Sequence, residues 1–256
     1  MDTNDFAKAQ GHWILAKMGK KVLRPGGKEL TNKLVSELEI SSADNIVEFA
    51  PGLGYTASLT LARNPKSYVG VDADNDIVNM LQKRFNGNNI QFVLNNASES
   101  GIESNSIDKV YGEAMLTMHA DHRKSEIISE AHRILKKGGL YAIHELGLVE
   151  VGEEQKKEIQ HELALAIKVN ARPLTESEWR ELLEKEGFTI KKVYTNEMIL
   201  LETNRIIDDE GLFRTLKIGY NILTHPKARK RIAEMRKTFK KYQKHMNAIV
   251  LIAEKL

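Results

Sequence analysis

An acid ends a short apolar run at Glu48, and the chain then passes through Ala50, Pro51, Gly52 and Gly54. Glycines at alternate positions leave the backbone bare where something else must come close. Asp72 ends a second run, "SYVGVD", about twenty residues later, where a carboxylate can accept from both hydroxyls of a ribose. Further on, Glu113, His119 and His144 stand at or just past the ends of other apolar runs. Their chemistry is proton transfer, if the fold brings them to one crevice. His119, Asp121 and His122 beside Glu113 read as a polar loop and a helix cap, and no metal is expected. "HELAL" at 161–165 is not a zinc motif, because position 165 is leucine. Asp108, at the start of its run, reads as structural.

Elements that would position these groups follow a regular beat. Strands are expected at 45–50, 67–72, 90–95, 107–112 and 140–145, with helices at 55–63, 75–85 and 121–135 between them. Strand and helix in alternation imply right-handed crossovers and a parallel sheet. Helix 174–187 is signalled by Thr175, by Glu178 three residues on and by Gly187 at its end. A strand at 188–195, a helical region at about 204–245 and a last strand, "NAIVLIAEK", complete the pattern. The expected fold is α/β, a doubly wound, mostly parallel, Rossmann-like sheet of seven strands. Its last strand runs antiparallel beside 188–195. One domain is expected over 1–256, with an N-terminal helical cap at about 1–30 and a helical lid at about 204–245.

The 256 residues carry a formal charge of only +3 and no cysteine. That removes disulfides, thiolate metal sites and cysteine nucleophiles, and fits a reducing, cytoplasmic setting. No stretch approaches the roughly 18 apolar residues of a membrane span.

Two ligands fit the glycine turn. "GLGYTA" is formally the G-x-G-x-x-A of dinucleotide sites. S-adenosylmethionine, which has no phosphate, also needs bare backbone and a ribose-binding acid. About forty-five residues precede the first strand, that strand ends on an acid, Glu48, and the first glycine of the usual dinucleotide strand-turn is absent, all of which weigh against a dinucleotide. No Tyr-x-x-x-Lys donor of a nicotinamide oxidoreductase is evident.

Several motifs in order decide the matter. "EFAPGLG", "VGVDAD", "NNAS" and "HRILKKGGLYAIHE" together resemble the class I S-adenosylmethionine-dependent methyltransferases, over about residues 40–200 and in the closing strand. The likeness is nearest to the ubiquinone/menaquinone-methyltransferase-like branch. It implies S-adenosylmethionine as cofactor. It implies that Ala50, Pro51, Gly52 and Gly54 let the methionine portion approach, that Asp72 meets the ribose, and that Ala73 belongs to the cofactor site. Glu48 would orient the loop. Asn96, Ala97 and Ser98 would contact adenine, and Glu113 would face the methyl-transfer end. Departures are Ala50 for glycine, Asn96 for an acid and Lys137 for proline.

The expected acceptor is a small apolar or aromatic molecule held between core and caps. Trp13 and Tyr111 are its candidate contacts, and Glu113, His119 and His144 the candidate catalytic groups. Positioning alone can contribute on the order of 7–11 kcal/mol. The residues do not choose among oxygen, nitrogen, sulfur and carbon acceptors. Residues 225–246 form a basic amphipathic pattern, with nine Lys/Arg between 227 and 244 and a single acid, Glu234. Its plain reading is a solvated helix face, and its sharper one is contact with an acidic partner: an anionic membrane surface, an anionic substrate or nucleic acid. A tRNA or rRNA methyltransferase is the alternative. "GEAM" stands where a base-amine methyltransferase would carry Asn-Pro-Pro-Tyr, so nucleic acid is the less favoured partner.

Overall fold

The computed structural model describes residues 6, 9–149, 151–198, 201 and 203–256. The rest of the expected N-terminal cap, residues 1–5, 7 and 8, lies outside the described residues. The strands are β1 (Asn45–Phe49), β2 (Ser67–Asp72), β3 (Ile90–Leu94), β4 (Ile107–Glu113), β5 (Leu135–Leu148), β6 (Leu174–Thr175), β7 (Phe188–Glu197) and β8 (Met246–Lys255). They form one sheet in the order β3-β2-β1-β4-β5-β8-β7, with β6 beside β5. All pairings are parallel except those of β8, which runs antiparallel between β5 and β7. The expected doubly wound sheet with its inserted last strand is therefore present.

Helices cover both faces, as Val- and Ile-rich strands without polar alternation require. Ile46, Tyr68, Tyr111, Ala142, Val250 and Ile252 pack under α2 (Gly27–Glu37), α3 (Tyr55–Leu61) and α4 (Asn75–Arg84). Val47, Phe49, Val110, Ile143 and Leu251 face α5 (Asp121–Ile134) and α7 (Glu176–Lys185) on the other side. Chain order reverses between β1 and β4, so the crevice at their C-terminal ends is the expected ligand position.

Local chemistry sets the helix starts. Asp74 caps α4 by accepting from the N–H groups of Asp76 and Ile77. Thr175 and Glu178 form a reciprocal capping box on α7, with a cap of this kind worth about 1 kcal/mol. Two features of the sheet depart most from the sequence reading. β5 starts at Leu135 rather than 140, because Leu135 already pairs with Ile107 before a register shift sets Leu140 beside Lys109. The sheet also gains an eighth, two-residue strand, β6.

Region 204–245 resolves into α8 (Thr203–Glu210), α9 (Leu212–Thr224) and α10 (Pro226–Tyr242). Gly211, at φ +78°, breaks the first junction, and Pro226, which lacks an N–H, begins the last helix. These helices, α1 (Gly11–Lys17) and α6 (Glu153–Ile167) form the cap. Acids of α8 fasten it. Asp209 accepts from the Lys28 N–H (2.9 Å) at the start of α2, a helix with no cap of its own. Glu210 accepts from the N–H groups of Lys21 (2.7 Å) and Val22 (2.8 Å). Lys20 lies buried between the two carboxylates at 3.6 and 3.8 Å.

Candidate functional site

A cavity of about 240 Å³ opens at the switch point. Its floor is the turn after β1, where Ala50 (φ +53°) and Gly52 (φ +53°) both take the left-handed conformation. A Cβ on Gly52 would meet nothing nearer than the Ala50 carbonyl at 3.9 Å, so the space over the turn is open. Gly54 is required for a different reason: its Cβ would lie 2.6 Å from Leu81 Cδ2, where α4 packs against the turn. Asp72 lies half-buried at one side. It accepts from the Asp74 N–H (3.0 Å) and, at 3.4 Å, from the Gly52 N–H. Burial raises its pKa above the usual carboxylate value, and these donors oppose the rise.

Glu113 ends β4 on the opposite wall of the cavity. Its carboxylate accepts from Arg24, Thr56, Thr31 (2.8 Å) and His144 Nδ1 (2.7 Å). Burial alone would raise its pKa, but the Arg24 guanidinium, the His144 bond and Thr56 bring it down to about 2. A carboxylate so pinned is a poor proton acceptor at neutral pH. What it does is fix Arg24, which reaches in from the cap and lines the cavity. His144 donates from Nδ1, and its Nε2 is buried without a partner. It lies behind Glu113 and does not line the cavity, so it supports Glu113 and has no access to a ligand.

Other expected site residues are dispersed. Trp13 lines the cavity. Glu48 does not: it is buried under the sheet, where the hydroxyls of Tyr68 and Tyr111 (2.8 Å) donate to it. The expected roles of Glu48 at the loop and of Tyr111 at the acceptor are thus corrected. Alternation along β1 and β4 turns both side chains toward the α2–α4 layer. Their hydroxyl–carboxylate bonds hold the sheet face together. Asn96, Ala97 and Ser98 form a turn after β3, beside Asp72, whose carbonyl accepts from the Asn95 N–H (3.0 Å). The Asn96 amide oxygen accepts from the Ser98 N–H and hydroxyl, both at 3.1 Å, so it is already engaged within the turn. Ala73 is exposed at the end of β2. His119 is half-buried past the cavity wall, its pKa lowered by burial and by Arg123 and Lys124, and it does not line the cavity.

Two residues that line the cavity were given no individual role from sequence. The first is Arg24. The second is His12, on α1, which lines the large cavity and also a smaller apolar one of about 70 Å³. Leu15, Leu146, Ala171, Met198 and Phe239 are among the walls of the smaller cavity. Burial lowers the His12 pKa, so the neutral imidazole, which can take a proton, is favoured. Ala114, Met118 and Leu23 also border both cavities. Ala114 is left-handed at φ +53°, the counterpart on β4 of Ala50 on β1. Behind this wall, the buried Glu145 carboxylate accepts from the N–H groups of Met115, Leu116 and Thr117 at 2.8–3.0 Å, and so shapes the turn that carries Met118. From sequence Arg24 stood only as one cation of a basic N-terminal segment that could lie over the crevice, and His12 carried no signal, because both residues reach the site through cap packing.

Comparison with known proteins bears on this geometry. Residues 46–139, the stretch that includes the glycine turn, Asp72 and Glu113, match a family described as a methyltransferase domain. Over 250 residues the chain is 33% identical to an uncharacterized protein of Haemophilus influenzae, covering 96% of this chain and 98% of that one. A phosphoethanolamine N-methyltransferase of Plasmodium falciparum is 25% identical over 126 residues, which is 49% of this chain and 47% of that protein. In fold, the chain resembles phosphoethanolamine N-methyltransferase 2 of Haemonchus contortus, solved with S-adenosyl-L-methionine. The TM-score is 0.70 at 18% identity, over 96% of this chain and 56% of that one.

Proposed function

We propose that this chain, which belongs to the class I S-adenosylmethionine-dependent methyltransferases and uses S-adenosylmethionine as its donor, methylates a small, largely apolar acceptor seated in the cavity walled by Leu15, Ala171 and Phe239. The observation that carries the proposal is His12, which borders both that cavity and the donor cavity.

The residues present fit the donor. Asp72 would accept from the ribose hydroxyls, and the open backbone at Ala50, Pro51 and Gly52 would admit the methionine portion. Arg24, held by Glu113, would pair with the amino-acid carboxylate. The turn at Asn96, Ala97 and Ser98, with Ala73, would meet the adenine end through backbone groups. Bound there, S-adenosylmethionine supplies an electrophilic methyl carbon. The chain's own tasks are to align the acceptor, keep water out with Trp13, Leu23 and Met118, and take the acceptor's proton on the neutral His12 imidazole. Such a base contributes about 10²–10⁴-fold. An apolar ring bearing a hydroxyl satisfies both the greasy wall and the base.

The test is transfer of labelled methyl from S-adenosylmethionine to a panel of phenols, quinols, amines and thiols, with RNA as a further acceptor. Transfer to a ring-bearing small molecule is expected. Ala171→Phe, which fills the apolar cavity, should abolish that transfer while leaving S-adenosylhomocysteine affinity unchanged. Methylation of RNA, or full activity in Ala171→Phe, would overturn the acceptor assignment.

A further inference from the structure

Helix α9 presents a face that the rest of the described chain leaves uncovered. Leu212, Phe213, Leu216, Tyr220 and Leu223 follow one another at helical spacing, and their exposures are 57, 88, 63, 68 and 66%. The opposite side of the same helix is anchored. Ile218 is buried against Ile14 and Met18, Ile222 packs beside it, and Asn221 donates to the Met18 carbonyl at 2.9 Å. The stripe is therefore the outer side of a docked helix, and no stretched or detached segment is needed to explain it. Single exposed apolar residues are ordinary; a run of five on one helix marks a contact surface.

The charge around the stripe identifies the partner. From 211 to 231 the chain carries six cations, Arg214, Lys217, Lys227, Arg229, Lys230 and Arg231, and no Asp or Glu. Lys217, Lys227, Arg229 and Lys230 are exposed. Arg214 is paired with Glu210 at 3.7 Å and Arg231 with Glu234 at 3.3 Å, so the positive rim rests on the four exposed cations, which a folded protein partner recognised by a greasy stripe would not require. RNA would meet the rim but gain little from five aliphatic and aromatic side chains lined up along a helix. An anionic lipid surface satisfies both parts: apolar side chains sink to the level of the acyl boundary, while flanking lysines and arginines meet the headgroups. Among the described residues no helix is long and apolar enough to cross a membrane, so such contact would be peripheral.

We propose that α9, with the first turns of α10, docks the enzyme on an anionic lipid bilayer. The inference is independent of the acceptor assigned above. It has a consequence for it, however: α9 rests on the segment that follows α1, whose His12 and Trp13 line the donor cavity. Docking would bring the cap of the active site to the region where apolar small molecules concentrate.

Sedimentation with vesicles tests the proposal, using the full chain loaded with S-adenosylhomocysteine. Vesicles of phosphatidylcholine and phosphatidylglycerol in equal parts should pellet the protein, and vesicles of phosphatidylcholine alone should not. Phe213→Glu with Leu216→Glu should weaken the partition at least about tenfold. Lys227→Glu with Lys230→Glu should weaken it about tenfold and flatten its dependence on salt. Because these side chains are exposed, melting temperature and S-adenosylhomocysteine affinity should not move. Equal binding to both vesicle types, or wild-type partition in the Phe213 and Leu216 variant, would overturn the proposal. So would sedimentation velocity showing that the stripe mediates self-association without vesicle binding, or RNA binding that the Lys227 and Lys230 variant alone abolishes.

Discussion

Glu48 and Glu113 close adjacent strands, lie on the same face of the sheet and are both buried, yet they titrate in opposite directions. Burial pushes Glu48 up to about 7, because its donors are the neutral hydroxyls of Tyr68 and Tyr111. Glu113 is as deeply buried but falls to about 2, because Arg24 and His144 stand against it. One glutamate stays inside the fold, and the other is tied to the cap. A buried acid thus marks the ligand site here only where a cation from a distant segment has been brought to it.

Breaking the cation's hold should give the largest effect. Arg24→Ala leaves the Glu113 carboxylate buried without its charge partner and should cost about 3–5 kcal/mol, read by urea unfolding at pH 7. It should also lower S-adenosylhomocysteine affinity at least tenfold by calorimetry. Undiminished affinity would remove Arg24 from the donor site.

The pH dependence separates the two acids. The folded state keeps a proton on Glu48 that the unfolded chain releases, so stability from this group falls as pH rises from 4.5 to about 7. The loss should be about 3 kcal/mol, and Glu48→Gln should abolish it. For Glu113 the sign reverses: its contribution is complete above 4.5 and is lost as pH falls toward about 2. Glu113→Gln should therefore flatten the acid limb and leave the neutral limb unchanged. Thermal melts of both variants across the pH range read this directly, and parallel curves would erase the distinction.

Smaller changes sharpen it. Tyr68→Phe removes one donor to Glu48 and should cost about 1 kcal/mol, with cofactor affinity unchanged. Ala50→Gly relieves the left-handed alanine but adds chain entropy to the unfolded state. A net gain below about 1 kcal/mol is expected by melting.

Much of the crevice at the switch point was legible because its signals are local. The glycine turn, Asp72 and the strand–helix beat lie within short windows whose backbone and pattern requirements show in residue type. Thr175 and Glu178 announce their helix for the same reason. Glu48 was misread because its partners, Tyr68 and Tyr111, are separated from it by whole βα units, and a strand-end acid looks the same whether tyrosine or ligand awaits it. In the lid, Gly211 and Pro226 did mark the helix breaks that the broad helical reading passed over.

By itself the sequence determined the α/β class, the place of the last strand, the glycine turn after β1 and the acid that ends β2, since each follows from periodicity or from backbone freedom within a few residues. Only the tertiary structure decided that Arg24 reaches Glu113, that His12 stands between two cavities and that the α9 stripe faces outward. Those depend on how the cap packs on the sheet through contacts such as Asp209 with Lys28 and Glu210 with Lys21. Pairings across so much chain are set by the sum of many weak contacts, and no single residue type records them.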